Sequence, residues 1–478
     1  MPRTRSLYLC IDQGGHASRA LVFDQKGVAI ARAERVVATQ HPQPDWVEHD
    51  PEELLTSVSD AIGEAVASSG PRHRELRAVG LATQRSTLVC WDRETGTALS
   101  PVISWQDRRA HAWLAQFADR QADVHARTGL MLSAHYGASK LRWCLDNLPA
   151  VQGAAQRGRL ACGPLASFLL FRLLDERPLF VDPSNAGRTL LWSLARRDWD
   201  PWLLDLFGIG SQFLPRCVPT RHAYGTLQIG DGTVPFAILN GDQSAALFAF
   251  GSPDPASAYI NMGTGAFVLG ASAQRRDAPR LLSSIAYADD GRVRYVLEGT
   301  VNGAGAALAW AGEALGVAAP ESSLDAWLRR DCDPPLFLNG VSGLGAPFWV
   351  ADFPSRFTAE AEPWQKVVAV AESIVFLVQA NLEEFAHTGA SFRRMVASGG
   401  LAQSAALCQR LADLSGLTVH RPVAHEATAQ GLAFLLAGQP GDWPQLSGAR
   451  FAPRPNLALR KRYARWRAAL DTAIRELR

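Results

Sequence analysis

Residues 7–37 read LYLCIDQGGHASRALVFDQKGVAIARAERVV, which is three apolar runs separated by two short polar segments. The first polar segment is Asp12-Gln13-Gly14-Gly15, and the second covers residues 24–27 and ends in glycine. Aspartate and glycine at such positions are typical of tight turns between antiparallel strands. The stretch therefore predicts a three-stranded antiparallel sheet whose first turn carries two adjacent glycines.

The segments that follow predict an α/β chain with a repeated opening. Helical spacing over residues 51–68 predicts a helix, and the apolar run 76–82 predicts a strand. A strand, a glycine turn and a strand return near residue 263, which favours two similar lobes, although glycine hairpins are common in any α/β chain. Gly, Ser and Pro cluster at residues 250–255, so the expected lobes are residues 1–250 and 251–478.

Composition excludes several classes of protein. The 478 residues include 48 Lys plus Arg and 46 Asp plus Glu, and this net charge of +2 argues against a nucleic-acid or membrane partner. The seven cysteines are scattered without a CxxC pair, which favours neither a disulfide framework nor a zinc site. No secretory signal or long apolar span is evident, so a cytoplasmic location is expected.

Two glycine turns are candidates for phosphate binding. Glycine lets backbone N–H groups approach an anion closely, as at Gly14-Gly15 and at Gly263-Thr264-Gly265, where the threonine adds a hydroxyl donor. Ser18 and Arg19 lie just beyond the first turn. The chain has no GxxxxGK[ST] motif, which excludes the lysine-bearing phosphate loop. Each turn is a weak signal when taken alone.

Two aspartates are candidates for acid–base chemistry. Asp242 follows an apolar run and precedes another one, which places it at a strand end or at the start of a helix. Asp12 stands at the end of the first apolar run. Each also has an ordinary structural interpretation, as a helix N-cap or a turn residue. If both face one cleft, one could bind a metal–phosphate complex while the other deprotonates a hydroxyl.

Polar clusters at other strand ends suit a polyhydroxylated ligand. Arg85 and Ser86 follow one apolar run, and Trp105 begins the cluster WQDRR after another. An aromatic face beside several hydrogen-bonding groups is typical of sugar sites, although a surface loop with a packed tryptophan remains an alternative. The Gly399-Gly400 turn between a predicted strand and helix could admit a base or a sugar.

Taken in order, these segments resemble the FGGY carbohydrate kinase family, and its glycerol-kinase-like branch in particular. Any one of them would be unremarkable, but they follow the family's order over almost the whole chain. The matching stretches are Ile11-Asp12-Gln13-Gly14 with Ser18-Arg19-Ala20, Trp46-Val47-Glu48-His49-Asp50-Pro51, Thr83-Gln84-Arg85, Trp105-Gln106-Asp107-Arg108-Arg109, Gly241-Asp242-Gln243, Gly263-Thr264-Gly265, Gly343-Leu344-Gly345-Ala346-Pro347-Phe348-Trp349, Ser398-Gly399-Gly400 and Glu426-Ala427-Thr428-Ala429-Gln430-Gly431.

The resemblance implies two actin-like, RNase-H-like lobes with a nucleotide cleft between them, and a phosphotransferase that uses ATP and Mg²⁺. It implies transfer of the γ-phosphate to a hydroxyl of a small polyol or ketose, with Asp242 as the general base and Asp12 facing the metal. The implied acceptor-binding residues are Arg85, Ser86, Trp105, His135, Asp242 and Gln243. The implied nucleotide-binding residues are Gly14, Gly15, Ser18, Arg19, Gly263, Thr264, Gly305, Gly399 and Gly400.

The chain also departs from the glycerol kinase pattern. Gly15-His16 stands where that branch has two threonines, and Ser86 stands in place of a glutamate. His135 replaces a tyrosine, with Tyr136 next to it. Losing the glutamate removes an acceptor for a substrate hydroxyl, and an unpaired hydroxyl in a dry pocket costs roughly 1–3 kcal/mol. This argues against glycerol as the best substrate and favours a larger sugar or polyol.

Two other functions stay open at this point. Gly15-His16 is compatible with a catalytically weakened protein of this fold that binds a ligand or regulates without efficient turnover. An actin-like ATPase chaperone fits less well, because it has no evident use for Arg85 and Trp105. The sequence leaves the oligomeric state open, with a homodimer as one candidate.

Overall fold

The computed structural model describes residues 6–423, 426–443 and 447–477. These residues form two compact units. Unit 1 contains the described residues up to 253 together with residues 284–295 and 426–443, and unit 2 contains the rest. The predicted boundary near residue 250 lies close to the first division, whereas the two later segments of unit 1 were not expected from the sequence. The partition into lobes 1–250 and 251–478 stays a prediction.

The main sheet of unit 1 begins with the antiparallel hairpins that the sequence predicts. Its six strands lie in the order Arg221–Ile229, Gly232–Gly241, Leu76–Thr83, Leu7–Gln13, Ala17–Asp24 and Ala29–Val36. The strand Leu7–Gln13 pairs antiparallel with Ala17–Asp24 and parallel with Leu76–Thr83, which in turn pairs parallel with Gly232–Gly241. The carboxyl ends of these three parallel strands therefore meet at one edge of the sheet.

The predicted helix over residues 51–68 is confirmed as Pro51–Ser68. Asp50 caps it by accepting hydrogen bonds from the N–H groups of Glu52 and Glu53, and Pro51 fits the first turn because it needs no hydrogen-bond donor there. Its buried face, which includes Leu54 and Val58, packs in the core of the main sheet.

A second sheet of unit 1 adjoins the loops that hold predicted acceptor-binding residues, because Arg85 and Ser86 precede one of its strands and Trp105 follows another. Its four strands are, in order, Glu48–His49, Val102–Ile103, Leu88–Asp92 and Leu160–Pro164. The remaining short strands of unit 1 are Phe180–Val181, Trp192–Ser193, Asp198–Trp199 and Arg216–Cys217. Its helices, besides Pro51–Ser68, are His111–Leu114, Gln121–Thr128, Gly137–Asn147, Pro149–Gln156, Leu165–Leu173, Pro183–Ala186, Pro201–Phe207, Asp242–Ala246 and Ala427–Leu436, with 3₁₀ turns at Gly70–Glu75, Ala115–Arg120 and Ser211–Phe213.

Side-chain packing explains why two late segments belong to unit 1. Ile285 lies in a hydrophobic cluster with Trp192, and Tyr287 packs its ring against Phe248 at 5.7 Å between centroids. In the other segment, Phe434 stacks on the same Phe248 ring at 6.4 Å. These contacts are between residues far apart in the sequence, so no local pattern could have predicted them.

Unit 2 repeats the local topology that opens unit 1. Ser257–Met262 pairs antiparallel with Ala266–Ser272 and parallel with Arg394–Ser398, which confirms the predicted strand, glycine turn and strand. Within unit 2, the strands Ala266–Ser272, Ser257–Met262, Arg394–Ser398, Thr418–Pro422 and Gly448–Phe451 are neighbours in that order. The strands Leu282–Ala288 and Val293–Val301 include parts of the segment 284–295, which is counted with unit 1. Two short strands, Phe337–Leu338 and Arg356–Phe357, pair separately.

The core of unit 2 is built around one long helix. Pro363–His387 buries residues along most of its length, including Val368 and Phe376. The other helices are Gly305–Leu315, Pro320–Leu328, Ala405–Ser415 and Leu457–Glu476, with a 3₁₀ turn at Gly400–Gln403. In the parts of the chain that the structure describes, no helix combines the length and the apolar character needed to cross a membrane.

Candidate active site

Strand register brings the candidate residues of unit 1 together. Asp12 and Asn240 are both aligned with Ala82, one on each side of the central strand. Asp242 then opens the short helix Asp242–Ala246 directly after its strand. Arg85 follows the central strand by two residues, so the three charged side chains start from neighbouring strand ends.

Asp242 has a cation and a backbone donor as neighbours. Its Oδ1 atom accepts a hydrogen bond from the Gln243 backbone N–H at 2.7 Å and lies 3.8 Å from the Nε of Arg85. Arg85 also donates to the Gln243 side-chain oxygen. The Asp242 side chain is 29% exposed, so a ligand can reach it, yet burial raises its pKa above the ordinary value while the Arg85 charge opposes that rise.

Gly241 is needed for the approach of Arg85. A Cβ atom at position 241 would lie 2.5 Å from both Cγ and Cδ of the arginine, which is closer than any real contact. The stem of Arg85 therefore packs directly over the backbone that precedes Asp242. This gives the Gly241-Asp242-Gln243 motif a steric reason that the sequence alone did not supply.

A buried network supports the strand end that carries Asp242. The Ser184 hydroxyl accepts a hydrogen bond from the Gly241 N–H at 2.7 Å and lies 2.7 Å from the Asn240 side-chain oxygen. Asp182, which is fully buried, accepts from the Ser184 N–H at 2.8 Å and from the Asn185 side chain at 2.7 Å. The sequence analysis missed this network, although Asp-Pro-Ser-Asn is a recognisable helix start.

Asp12 is the more strongly perturbed of the two aspartates. It is only 9% exposed, and burial, together with the nearby charge of Asp242, raises its pKa to about 7. The cation of Arg19 opposes this rise, and the carboxylate of Glu426 adds to it. The carboxylates of Asp12 and Asp242 thus repel each other electrostatically, and Arg19 only partly compensates this at Asp12.

Arg19 and Ser18, which follow the first turn, face different environments. Arg19 donates to Glu34 at 3.1 Å, and its Nε lies 3.9 Å from Glu426. Ser18 is fully buried, and its hydroxyl lies 2.8 Å from that of Ser57 in the adjoining helix. The Ser18 hydroxyl therefore points toward the helix, because alternate side chains of a strand face opposite sides of the sheet.

The first glycine turn lies beside the predicted acceptor residues. A Cβ on Gly15 would lie 3.8 Å from the Gln84 side-chain oxygen and 3.9 Å from the Trp105 indole nitrogen. Gln84 in turn donates to the Gln13 side chain at 3.3 Å. The turn that starts at Gly14 thus adjoins the indole, and Gln84 links the two strand ends.

Ser86, Trp105 and His135 form a surface that we term the acceptor wall. The ring of Trp105 meets that of His135 edge to face at 5.6 Å between centroids, and the backbone N–H of Trp105 donates to the Thr87 hydroxyl at 3.0 Å. Burial and the surrounding positive charges, with Lys140 the largest of them, hold the pKa of His135 well below its usual range. The imidazole is therefore neutral at pH 7, with one donor and one acceptor nitrogen.

Arg109 braces the loop that carries Trp105. Its side chain is fully buried, its central carbon lies 4.0 and 4.5 Å from the ring centroids of Trp46 and Trp143, and it forms ion pairs with Asp107 and Glu48 at 2.7 and 2.6 Å. The cation is thus held by two carboxylates and two aromatic rings. Arg109 is consequently a structural part of the loop rather than a ligand-binding group.

The glycine cluster of unit 2, which consists of Gly263, Gly265, Gly305 and Gly399, is formed by backbone contacts. The Gly263 N–H donates to Gly265 O at 2.8 Å, and the Gly305 N–H donates to Gly263 O at 2.9 Å. Thr264 lies exposed at the tip of the turn. These bonds join the turn to the first turn of helix Gly305–Leu315, so that Gly305 supports the turn directly.

Gly399 completes the cluster from a different strand end. It has a φ of 89°, and a Cβ there would lie 2.5 Å from the carbonyl oxygen of Met262, the residue before the turn. Gly400, next to it, is exposed, and a Cβ there would meet nothing within 4 Å. Within unit 2 the structure therefore brings together the predicted positions 263, 264, 305 and 399.

Comparison with known proteins identifies the family. The profile of the FGGY family of carbohydrate kinases, N-terminal domain, matches residues 7–249, and that of the C-terminal domain matches residues 258–438. A glycerol kinase from Ectopseudomonas mendocina (strain ymp) is 34% identical over 96% of this chain and 97% of its own length. A glycerol kinase from Koribacter versatilis is 35% identical over 97% of each chain.

Solved structures agree on the fold. The crystal structure of Plasmodium falciparum glycerol kinase with ADP superimposes with a TM-score of 0.87 at 22% identity and covers 98% of each chain. A xylulose kinase from Rhodospirillum rubrum gives the same TM-score, identity and coverage. The two α/β units, the family profiles and these relatives agree, and the chain belongs to the FGGY family of carbohydrate kinases, phosphotransferases with an alcohol group as acceptor.

Proposed function

We propose that this chain transfers the γ-phosphate of ATP to a hydroxyl group of a small polyol or ketose, with Asp242 as the general base. The observation that carries the proposal is the placement of Asp242. Its accessible carboxylate stands at a strand end, 3.8 Å from Arg85, in the same edge of the sheet as the buried Asp12. A base of raised pKa near a cation suits removal of a proton from an alcohol.

Asp242 accepts the proton of the acceptor hydroxyl as that oxygen attacks the phosphorus atom. Phosphoryl transfer has a loose transition state, so the protein contributes mainly position and charge neutralisation. Arg85 supports both, because it fixes the Gln243 side chain and lies against the Asp242 carboxylate. The network of Ser184 and Asn240 holds the strand end, which keeps the carboxylate in place.

The acceptor wall supports a substrate with several hydroxyl groups. Trp105 supplies an apolar face for carbon atoms, and the neutral imidazole of His135 supplies one donor and one acceptor. The Ser86 hydroxyl is buried and makes no hydrogen bond to any residue that the structure describes. The curated relatives are glycerol kinases, whereas serine at this position favours a longer, pentulose-like acceptor over glycerol.

The glycine cluster supports binding of the nucleotide phosphates. Backbone atoms approach one another at Gly263, Gly305 and Gly399, and Thr264 adds an exposed hydroxyl at the turn. Such a surface lets a phosphate come close to the backbone without steric hindrance from side chains, while the N–H groups of Gly263 and Gly305 hold the turn itself. The exposed Gly400 extends it on the side proposed for the adenosine. In unit 1, Gly14, Gly15 and Arg19 are proposed to contact phosphate. Ser18 stays a prediction, and its hydroxyl would have to leave Ser57, to which it bonds in this structure, to reach a phosphate.

Asp12 is the residue proposed to hold Mg²⁺. Among the described residues no group of three Asp, Glu, His or Cys side chains forms a complete metal site. This fits magnesium, which ordinarily takes one or two carboxylates and completes its shell with phosphate oxygens and water. The raised pKa of Asp12, caused by burial and by Asp242, fits as well, since a bound cation would relieve the repulsion. When bound, the ion supplies charge neutralisation at the phosphates.

Two further expectations stay part of the proposal. A cytoplasmic location and the lack of a nucleic-acid partner rest on the near-balanced charge of +2 and on the scattered cysteines. A homodimer is retained as a candidate assembly, to be measured by light scattering.

The test is a panel of polyols, pentuloses and hexuloses incubated with ATP and Mg²⁺, with ADP release as the readout. We expect release with at least one acceptor and a pentulose preferred over glycerol. ADP release with none of them, together with calorimetry that detects no ATP binding, would instead favour the weakened, ligand-binding protein that Gly15-His16 suggests. ATP binding without turnover on any acceptor would contradict the proposed role of Asp242.

A further inference from the structure

Lys140 is a buried cation that the proposed mechanism does not use. It belongs to helix Gly137–Asn147 and is only 1% exposed. Its Nζ donates hydrogen bonds to the carbonyl oxygens of Ser86 at 3.0 Å and of His135 at 2.7 Å. One ammonium group therefore joins two loops that are distant in the sequence, and both loops belong to the acceptor wall.

We propose that Lys140 is a positioning residue that holds Ser86 and His135 at a fixed separation and so sets which acceptor the enzyme prefers. The inference rests on the proposed function, because it assigns the acceptor wall to substrate binding. It goes beyond that function by making a residue that touches no substrate a determinant of acceptor specificity.

The conformation of Ser86 shows why a fixed support is needed. Its φ is 64°, in the left-handed region that residues other than glycine rarely adopt. A strained backbone of this kind persists only where contacts with the surrounding structure hold it in place. The hydrogen bond from Lys140 to the Ser86 carbonyl is one such restraint, and it holds the backbone that carries the unpartnered Ser86 hydroxyl.

The charge of Lys140 acts on His135 as well. Burial is the main cause that lowers the pKa of the His135 imidazole, and Lys140, which bonds to the His135 backbone, lowers it further. Arg108, Arg188 and Arg85 act in the same direction. The imidazole is therefore in the neutral form, which can both donate to and accept from a hydroxyl group.

Packing alone does not account for a lysine at this position. Burying an ammonium group carries a large desolvation penalty that hydrogen bonds must offset, and burial lowers the pKa of Lys140 well below its usual range. The nearby carboxylate of Asp107 is engaged by Arg109 at 2.7 Å. A methionine of similar length would fill the space without this penalty, so the two hydrogen bonds are what the lysine adds over an apolar side chain.

The experiment compares Lys140→Met with Lys140→Arg in the full-length protein. Lys140→Met keeps the side-chain length and removes the donors. We expect the KM for the preferred acceptor to rise by about tenfold or more while the KM for ATP stays within about twofold. We also expect the ratio of kcat/KM between a pentulose and glycerol to change by about fivefold or more.

The control is Ser139→Ala on the same helix. Ser139 is fully buried, and its hydroxyl has no hydrogen-bond partner in the described parts of the chain, so this variant tests helix packing alone. It should leave the acceptor ratio of the wild type unchanged. Lys140→Arg keeps a charge and donors, and it should restore at least part of the acceptor KM.

Each outcome decides the question. An unchanged acceptor ratio in Lys140→Met, or an equal loss for every acceptor and for ATP, would show a merely structural role and overturn the proposal. If Lys140→Met does not fold, Lys140→Gln, which is shorter and keeps only one amide donor group, carries the test. An unchanged acceptor ratio in Lys140→Gln at wild-type thermal stability would overturn the proposal. If the wild type phosphorylates no acceptor, the proposed function fails first and this inference falls with it.

Discussion

Charged side chains position the acceptor region of unit 1, whereas backbone atoms form the glycine cluster of unit 2. In the acceptor region, Arg85 lies beside Asp242 and Lys140 joins two loops. In the glycine cluster, Gly263 and Gly305 are joined by backbone hydrogen bonds, and none of the predicted residues there carries a charge. The acceptor region is therefore open to change by single side-chain substitutions, while the glycine cluster is sensitive to a carbon atom added at Gly265, Gly305 or Gly399.

The largest expected effect is loss of the base in the acceptor region. Asp242→Asn keeps the shape of the side chain and removes its ability to accept a proton. We expect kcat to fall by about 10³-fold, since general bases contribute about 10²–10⁴. The KM values for ATP and acceptor should change much less, and steady-state kinetics measure both. Asp60→Asn, on the exposed face of helix Pro51–Ser68, is the matched control and should behave like the wild type.

The second effect concerns the glycine cluster. A Cβ at position 305 would lie 2.8 Å from the Gly263 carbonyl oxygen, so Gly305→Ala must displace the turn. We expect kcat/KM for ATP to fall by about 100-fold, because a displacement of about 1 Å in a positioned site can cost that much. The acceptor KM in the same variant is the internal reference.

Gly63→Ala serves as a control for the glycine substitution, since a Cβ there meets nothing within 4 Å. If Gly305→Ala lowered kcat/KM equally for ATP and for the acceptor, the assignment of ATP to the glycine cluster and of the acceptor to unit 1 would be contradicted.

A smaller effect is expected from the support of Asp242. Ser184→Ala removes the hydroxyl that accepts from the Gly241 N–H and contacts Asn240. We expect kcat to fall by about tenfold, together with a loss of about 1–3 kcal/mol in the free energy of unfolding. Kinetics and chemical denaturation measure the two quantities. Ser167→Ala is the control, because that buried hydroxyl makes no hydrogen bond within the described residues. A wild-type kcat for Ser184→Ala would show that this network does not keep the Asp242 carboxylate in place.

The smallest effect is a shift of the pH dependence. Burial raises the pKa of Asp242, so the base becomes protonated, and activity is lost, as pH falls through a value above the ordinary 3.8. At saturating Mg²⁺ and ATP, kcat should therefore decline on the acid side with the slope of one proton. Replacing Arg85 by methionine removes the opposing cation and should move this limb to higher pH. A shift to lower pH would contradict the role assigned to Arg85.

The sequence predicts the elements of this fold better than it predicts the contacts within the site. The hairpins of residues 7–36 and the strand, turn and strand around residue 263 follow from local turn chemistry, and the structure confirms them. The parallel pairing that aligns Asp12 and Asn240 with Ala82 is a long-range contact without a local signature. The family resemblance supplied the residues of the site, and the structure supplied their mutual arrangement within each unit.

Buried polar residues are the features that the sequence analysis missed. Lys140 and Ser184 look like ordinary polar residues in the sequence, because their partners Ser86 and Gly241 lie 54 and 57 residues away. Asp182 has local partners, but its role depends on the long-range contact of Ser184. Ser18 shows the opposite case. It stands near a glycine turn and suggested a phosphate ligand, but the alternation of strand side chains turns its hydroxyl toward Ser57.

The most direct test of the central claim follows the fate of the γ-phosphate by ³¹P NMR in the wild-type protein with ATP, Mg²⁺ and the preferred acceptor. If Asp242 serves an alcohol bound at the acceptor wall, the phosphate appears as a phosphomonoester of the acceptor. Without acceptor, inorganic phosphate should form at least about 100-fold more slowly, since the account provides no group that positions water in its place. Inorganic phosphate formed at the same rate with and without acceptor would contradict the account.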